Sequence, residues 1–178
     1  MSNIFVLFDK YGATDYIGEE VTQTQHMVQA AEIAEEMGMD TEFILAALFH
    51  DIGHLLEIQN SESCMGEFGI MDHEKIGEEH LRKLGFPERV CRLAGLHVTS
   101  KRYMVTTDSE YKKRLSLASQ TTLEYQGGLL SKSEVKEFEK DPLFEDALKI
   151  RQCDDLAKDP QKTVVNLDKY KIMVKQLC

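Results

Sequence analysis

Apolar residues recur three and four positions apart along most of this chain, the spacing that puts side chains on one face of a helix. From about Glu19 to Met37 the pattern predicts an amphipathic helix with Val21, Met27, Val28, Ala31, Ile33 and Ala34 turned inward and Gly38 as its stop. The nearly unbroken apolar run Phe43–Phe49 predicts a buried helix, with Thr41 as its cap and Glu42 adding first-turn negative charge. Further helices are expected over Asp72–Leu84, stopped by Gly85 and Pro87, and from Glu88 through His97 to about Tyr103. Another follows Asp108 and stops at Gly127-Gly128, and Phe144–Lys158 ends at Asp159-Pro160. Before all of these comes a short apolar lead-in with a turn at Gly12 and Thr14. Ser61–Gly69 is polar and Gly-bearing and is expected to be a loop; Ser131–Lys140 is short, charged and solvated. No stretch reads convincingly as a strand, and there is no repeat or linker. The expectation is an all-α helical bundle, one domain over residues 1–178.

Composition narrows the function more than the fold. A chain of 178 residues can bury a full core without cross-links. Its charge, 21 − 31 = −10, argues against nucleic acid or an anionic membrane as partner, though not against a small basic pocket. Cys64, Cys91, Cys153 and Cys178 show no CxxC spacing and read as buried thiols of a reducing cytoplasm. The N-terminus lacks a basic signal-peptide region, and no apolar run approaches a membrane span, so a soluble cytoplasmic protein is expected. Nothing in the pattern fixes an oligomeric state.

The chemistry centres on His50-Asp51, set at the end of the apolar run. A charge buried there is costly unless something compensates it, and a metal ion is the usual compensation. His54, one helical turn on, can share the face of His50. His26, His50, His73 and His97 fall on four separate expected helices, and bundle cores are where such side chains converge on metals. Asp154 or its neighbour Asp155 can close the series; only one of two adjacent residues can face the site. This set suits two metal ions with Asp51 between them. Imidazole and carboxylate without thiolate fit Fe, Mn or Zn, but not a structural zinc site. Lys101, four residues after His97, and Arg151, three before Asp154, share faces with these residues and would hold an anion. His80, among Glu78-Glu79, reads as a solvated-face residue.

The order H…HD…H…H…D resembles the HD-domain superfamily, and in particular its mixed-valent di-iron oxygenases: the PhnZ-like organophosphonate dioxygenases and, more distantly, myo-inositol oxygenase. The resemblance covers most of the chain. It runs through Asp15-Tyr16-Ile17-Gly18-Glu19, Leu45–His54, His73-Glu74-Lys75, His97 to Tyr103, Leu115–Ser119 and Lys149-Ile150-Arg151. The most specific blocks are the Tyr16–Glu19 entry and Thr122-Leu123-Glu124-Tyr125-Gln126-Gly127-Gly128, because hydrolases share the His-Asp pair.

By that resemblance His26, His50, Asp51 and Asp154 would bind one iron of an Fe(II)/Fe(III) pair, and Asp51, His73 and His97 the other. Tyr16 would occupy the second iron at rest and swing away with Glu19 when substrate arrives. His54, Lys101, Ser119 and Arg151 would hold the phosphonate and its neighbouring hydroxyl. The implied reaction is O2-dependent C–P cleavage of a small 1-hydroxyphosphonate. Its amine is either primary, giving glycine, or trimethylated, giving glycine betaine, with phosphate released in both cases. Tyr16, Phe68, Glu19 and Glu67 suit either amine. The competing expectation is a two-metal HD-domain phosphohydrolase acting on a phosphoester or nucleotide.

Overall fold

A computed structural model of the chain describes residues 4–16, 18–56, 71–163 and 165–177. The expected Ser61–Gly69 loop, with Cys64, Glu67 and Phe68, lies outside the described residues, as does Cys178. The first helices are α1 (Phe5–Tyr11), α2 (Gln23–Glu36), α3 (Thr41–Phe49) and α4 (Ile52–Leu56). Then follow α5 (His73–Lys83), α6 (Glu88–Gly95), α7 (His97–Thr107) and α8 (Ser109–Arg114). The last four are α9 (Leu117–Tyr125), α10 (Lys132–Phe138), α11 (Phe144–Leu156) and α12 (Asp168–Gln176). Among the described residues the one extended pairing is an isolated bridge, Asp15 to Thr22, so the fold is all-α. No helix of the described residues is long and apolar enough to cross a membrane.

The all-apolar helix α3 runs through the centre, with Phe43 and Leu45–Phe49 fully buried. α2, α6 and α11 pack against it, while α5 packs on α4 and α6, and α7 on α11. Phe49 meets Phe5, Phe8 and Phe86 at ring-centroid distances of 6.0, 6.2 and 5.3 Å. The short apolar lead-in, assigned no element from its pattern, is therefore α1, and its aromatic side covers the end of α3.

Several boundaries move from the expected places, each for a local reason. α2 begins at Gln23 because Thr22 and Gln25 form a reciprocal capping box; the expected start, Glu19, lies in the preceding loop. Asp40, not Thr41, caps α3 by accepting the Phe43 N–H at 3.0 Å. The helix expected to carry both His50 and His54 is broken between them, and so is the one expected to continue through His97. In both cases the imidazole turns back on its own chain. His50 Nδ1 meets the carbonyl of Ala47 at 2.8 Å, and His97 Nδ1 meets that of Ala94 at 2.7 Å. A ring N–H that takes a carbonyl in the last turn competes with the helix's own N–H groups. The stretch after Asp108 also divides, α9 starting afresh at the Ser116 cap. α12 was not expected.

Gly53 lets α4 lie against the start of α5. A Cβ there would stand 2.0 Å from the His73 carbonyl oxygen, so no larger residue fits without moving backbone. This close approach sets His73 beside the His50-Asp51 corner.

Candidate metal centre

Four helix termini and one helix interior deliver the site. His26 comes from the first turns of α2, His50-Asp51 from the α3–α4 corner, His73 and His97 from the starts of α5 and α7, and Asp154 from late α11. All six are at least 97% buried. They form two groups around one carboxylate. On one side His26 Nε2 and His50 Nε2 are 3.0 Å apart, and each is 3.3 Å from Asp51 Oδ2. Asp154 Oδ1 completes this group, 3.4 Å from His26 Nε2 and 3.9 Å from His50 Nε2. On the other side His73 Nε2 and His97 Nε2 are 3.0 Å apart and lie 3.4 and 3.3 Å from Asp51 Oδ1. The choice between Asp154 and Asp155 is thus made by the register of α11, which turns Asp155 away.

The donor set fits metal ions. His26, His50 and His97 each commit Nδ1 to a backbone carbonyl, of Ala157, Ala47 and Ala94 respectively. A neutral ring held that way presents its Nε2 lone pair inward, the usual second partner of a metal-bound histidine. Two lone pairs 3.0 Å apart repel unless a cation lies between them, and cis ligands of an octahedral ion at about 2.1 Å stand about 3.0 Å apart. With no ion bound, burial would lower the His26 pKa, but hydrogen bonds to Asp154 and Asp51 push it up to about 9. A proton on Nε2 then holds the place that a metal ion would take when the ring is neutral. Against a burial that would raise them, the neighbouring imidazoles of His50, His26 and His73 hold Asp51 well below the carboxylate range, and Arg151 does the same for Asp154. The two carboxylates stay anionic where cations are needed.

A cavity of about 50 Å³ opens beside these groups. His54 lines it, half-buried, its ring stacked on His73 at 4.0 Å and 19°. A ring nitrogen of His54 falls within 4.8 Å of the donor atoms of Asp51 and His73, so it stands beside the second group. Burial, then the neighbouring His73, lower the His54 pKa well below the usual histidine range. Tyr16 also lines the cavity; its ring stacks on His26 at 3.9 Å and 13°. Burial and the charges of Asp51 and Asp154 keep its phenol protonated, with a raised pKa. Glu19 pairs with Lys158 at 2.8 Å, and Lys158 also reaches Ser116 Oγ at 3.2 Å. His80 is half-buried on α5 and does not line the cavity.

Lys101, Ser119 and Arg151 line the same cavity. Lys101 Nζ donates to Thr122 Oγ1 at 3.0 Å and to the Ser119 carbonyl at 3.4 Å. Thr122 and Gln126 were assigned no role from sequence, although both sit in the specific Thr122–Gly128 block; Ala118, Thr122 and Gln126 form one i, i+4 stripe of α9. Lys158, Gln23 and Tyr111 were likewise missed. Lys158 is four residues after Asp154, a spacing that could have flagged it; Tyr111 carried no such signal.

Burial, reinforced by Arg151, brings the Lys101 pKa down to about 7. The charged form, which binds anions, dominates below that value. Binding of sulfate, whose charge does not change near neutrality, measured by calorimetry, is therefore expected to weaken by up to about tenfold per pH unit above pH ~7. Lys101→Met should flatten that slope; a slope unchanged in the variant would remove Lys101 as its source.

The family model of the HD domain matches residues 24–159. An uncharacterized protein of Acanthamoeba polyphaga mimivirus is 46% identical over 99% of this chain and 81% of its own length. The glycine-betaine-forming 1-hydroxy-2-(trimethylamino)ethyl phosphonate dioxygenase of Leisingera caerulea is 40% identical over 85% of this chain and 76% of its own. The hydroxymethylphosphonate dioxygenase of Gimesia maris is 36% identical over 96% and 84%. With an HD model spanning most of the chain and relatives of this identity along nearly its full length, the chain belongs to the HD-domain family, on the branch that holds the phosphonate dioxygenases.

Proposed function

We propose that this protein is a di-iron dioxygenase that cleaves the C–P bond of a 1-hydroxy-2-aminoethylphosphonate with O2. The observation that carries the reading is Asp51: each of its oxygens faces its own imidazole pair, at 3.3–3.4 Å, with Lys101 and Arg151 lining the same cavity. His26, His50, Asp51 and Asp154 would hold one ion, and Asp51, His73 and His97 the other. The iron pair supplies the oxidation and the binding of O2. Lys101 and Arg151 orient the phosphonate by charge, the first as a point donor and the second through a planar fork. Ser119 fixes Lys101 through its carbonyl, and His54, neutral near pH 7, offers one hydrogen bond to the hydroxyl or a phosphonate oxygen. Tyr16 and Glu19 form the wall that substrate must pass. The reaction balances without an external reductant: aminohydroxyethylphosphonate plus O2 contains the atoms of glycine plus phosphate.

Of the two amine forms, the described wall suits the primary one. A quaternary ammonium prefers open aromatic faces. Tyr16 is the one Phe, Tyr or Trp among the described lining residues; one of its faces stacks on His26, and the Lys158 ammonium stands 5.9 Å from its centroid. Gln23 and Gln126, both at this wall, each keep an amide oxygen buried without a donor, and an N–H-bearing ligand relieves such oxygens. The test is O2 uptake and phosphate release by iron-loaded protein with three substrates: the primary amine, its trimethylated form and hydroxymethylphosphonate. The expected result is mole-for-mole coupling, with the highest kcat/KM on the primary amine. Phosphate release under argon, or from simple phosphoesters, would replace this reading with a two-metal hydrolase.

A further inference from the structure

Arg151 is 3% exposed, and three of its five N–H groups are committed. Nε donates to Tyr111 Oη at 2.9 Å and Nη1 to Asp154 Oδ2 at 2.6 Å, while Nη2 donates to Asp155 Oδ1. Tyr111 Oη in turn donates to Asp155 Oδ2 at 2.5 Å. Tyr111, Asp155 and Arg151 thus close a ring in which every proton has one place. The tyrosine gives its proton to Asp155 and accepts the Nε–H, which a phenol held protonated by burial can do.

This ring changes how the guanidinium meets its carboxylates. An arginine beside two acids ordinarily clasps both oxygens of one of them through a two-pronged fork. Here Tyr111 takes the Nε prong and occupies the second oxygen of Asp155, so Asp155 receives only Nη2. Asp154 is met through Oδ2 alone, which leaves its Oδ1 for the metal group. Neither acid captures the whole fork, and two N–H groups remain for a ligand in the cavity that Arg151 lines. Tyr111 is itself set from outside the metal centre, in a small apolar cluster with Val105, Leu115 and Leu123 that joins α7, α8 and α9.

We infer that Tyr111 and Asp155 are positioning residues for anion binding: they hold Arg151 so that its uncommitted N–H groups meet the phosphonate oxygens. The inference rests on the phosphonate reading of the site, but it can be tested apart from turnover. Methylphosphonate binding to the Mn(II)-loaded protein is measured by calorimetry for wild type, Tyr111→Phe, Asp155→Asn and the double variant, with bound metal and Tm recorded for each. Both single variants are expected to weaken binding about tenfold at unchanged metal content, with the double variant no worse than the weaker single. In turnover the loss should fall on KM and not on kcat.

Affinity and KM equal to wild type in a folded, metal-loaded variant would overturn the inference, as would a loss confined to Tm. If Tyr111→Phe does not fold, Asp155→Asn carries the same readout. Methylphosphonate binding that shows the expected pattern beside a complete lack of O2 uptake would sustain the positioning ring and defeat the oxygenase reading. The reverse combination would do the opposite.

Discussion

Asp51→Asn is expected to lower turnover by at least about three orders of magnitude and to cut the bound iron sharply, while the helical fold survives. The substitution conserves volume but removes the anion that both imidazole pairs face, at 3.3–3.4 Å on either side. An amide can offer only one oxygen as a ligand, and it brings no charge to offset the two cations of the proposed centre in a site that water scarcely reaches. Iron content by mass spectrometry, circular dichroism and O2 uptake on the same preparations check it. A variant that keeps its full metal content would mean that Asp51 does not join the two groups, and would remove the main support for a paired centre. His80→Gln is the comparison: it lies outside the cavity and should leave all three measurements unchanged.

Phe49→Ala is expected to produce the largest loss of stability. Its ring is fully buried and meets Phe5, Phe8 and Phe86 with ring centroids 5.3–6.2 Å apart. Truncating such a ring removes its transfer energy and leaves a cavity, a cost of about 3–5 kcal/mol. For a chain of this size that corresponds to a drop in Tm of about 6–20 °C. Because the next two residues are His50 and Asp51, metal affinity should fall with it. A thermal melt within a few degrees of wild type would show that the aromatic layer between α1, α3 and the α5–α6 connection is not what supports the centre.

The two predictions separate what could be read along the chain from what could not. The periodic apolar faces of α2, α5 and α11, and the apolar run of α3, mark their helices unaided, because burial of one face is a local demand on spacing. The six candidate ligands were legible for a related reason: histidines and acids placed on otherwise apolar helices have few inexpensive alternatives to a shared partner. The short helices were less legible. α1 carries little pattern in its length, and it is helical because its Phe side chains cover Phe49. The breaks before His54 and at His97 depend on imidazoles turned back onto carbonyls, and helical spacing does not encode that turn.

Sequence alone determined that the chain is an all-helical bundle with several histidines and aspartates on its otherwise apolar helices, since composition and periodicity respond to water, which every segment meets separately. Tertiary structure alone decided which atoms meet. It turned Asp154 inward and gave Asp155 to Arg151 and Tyr111, it placed His54 on His73, and it brought Lys158 to Glu19. Those choices depend on how helices far apart in the chain rotate and approach to pack their faces, an outcome of the whole core that no single stretch contains.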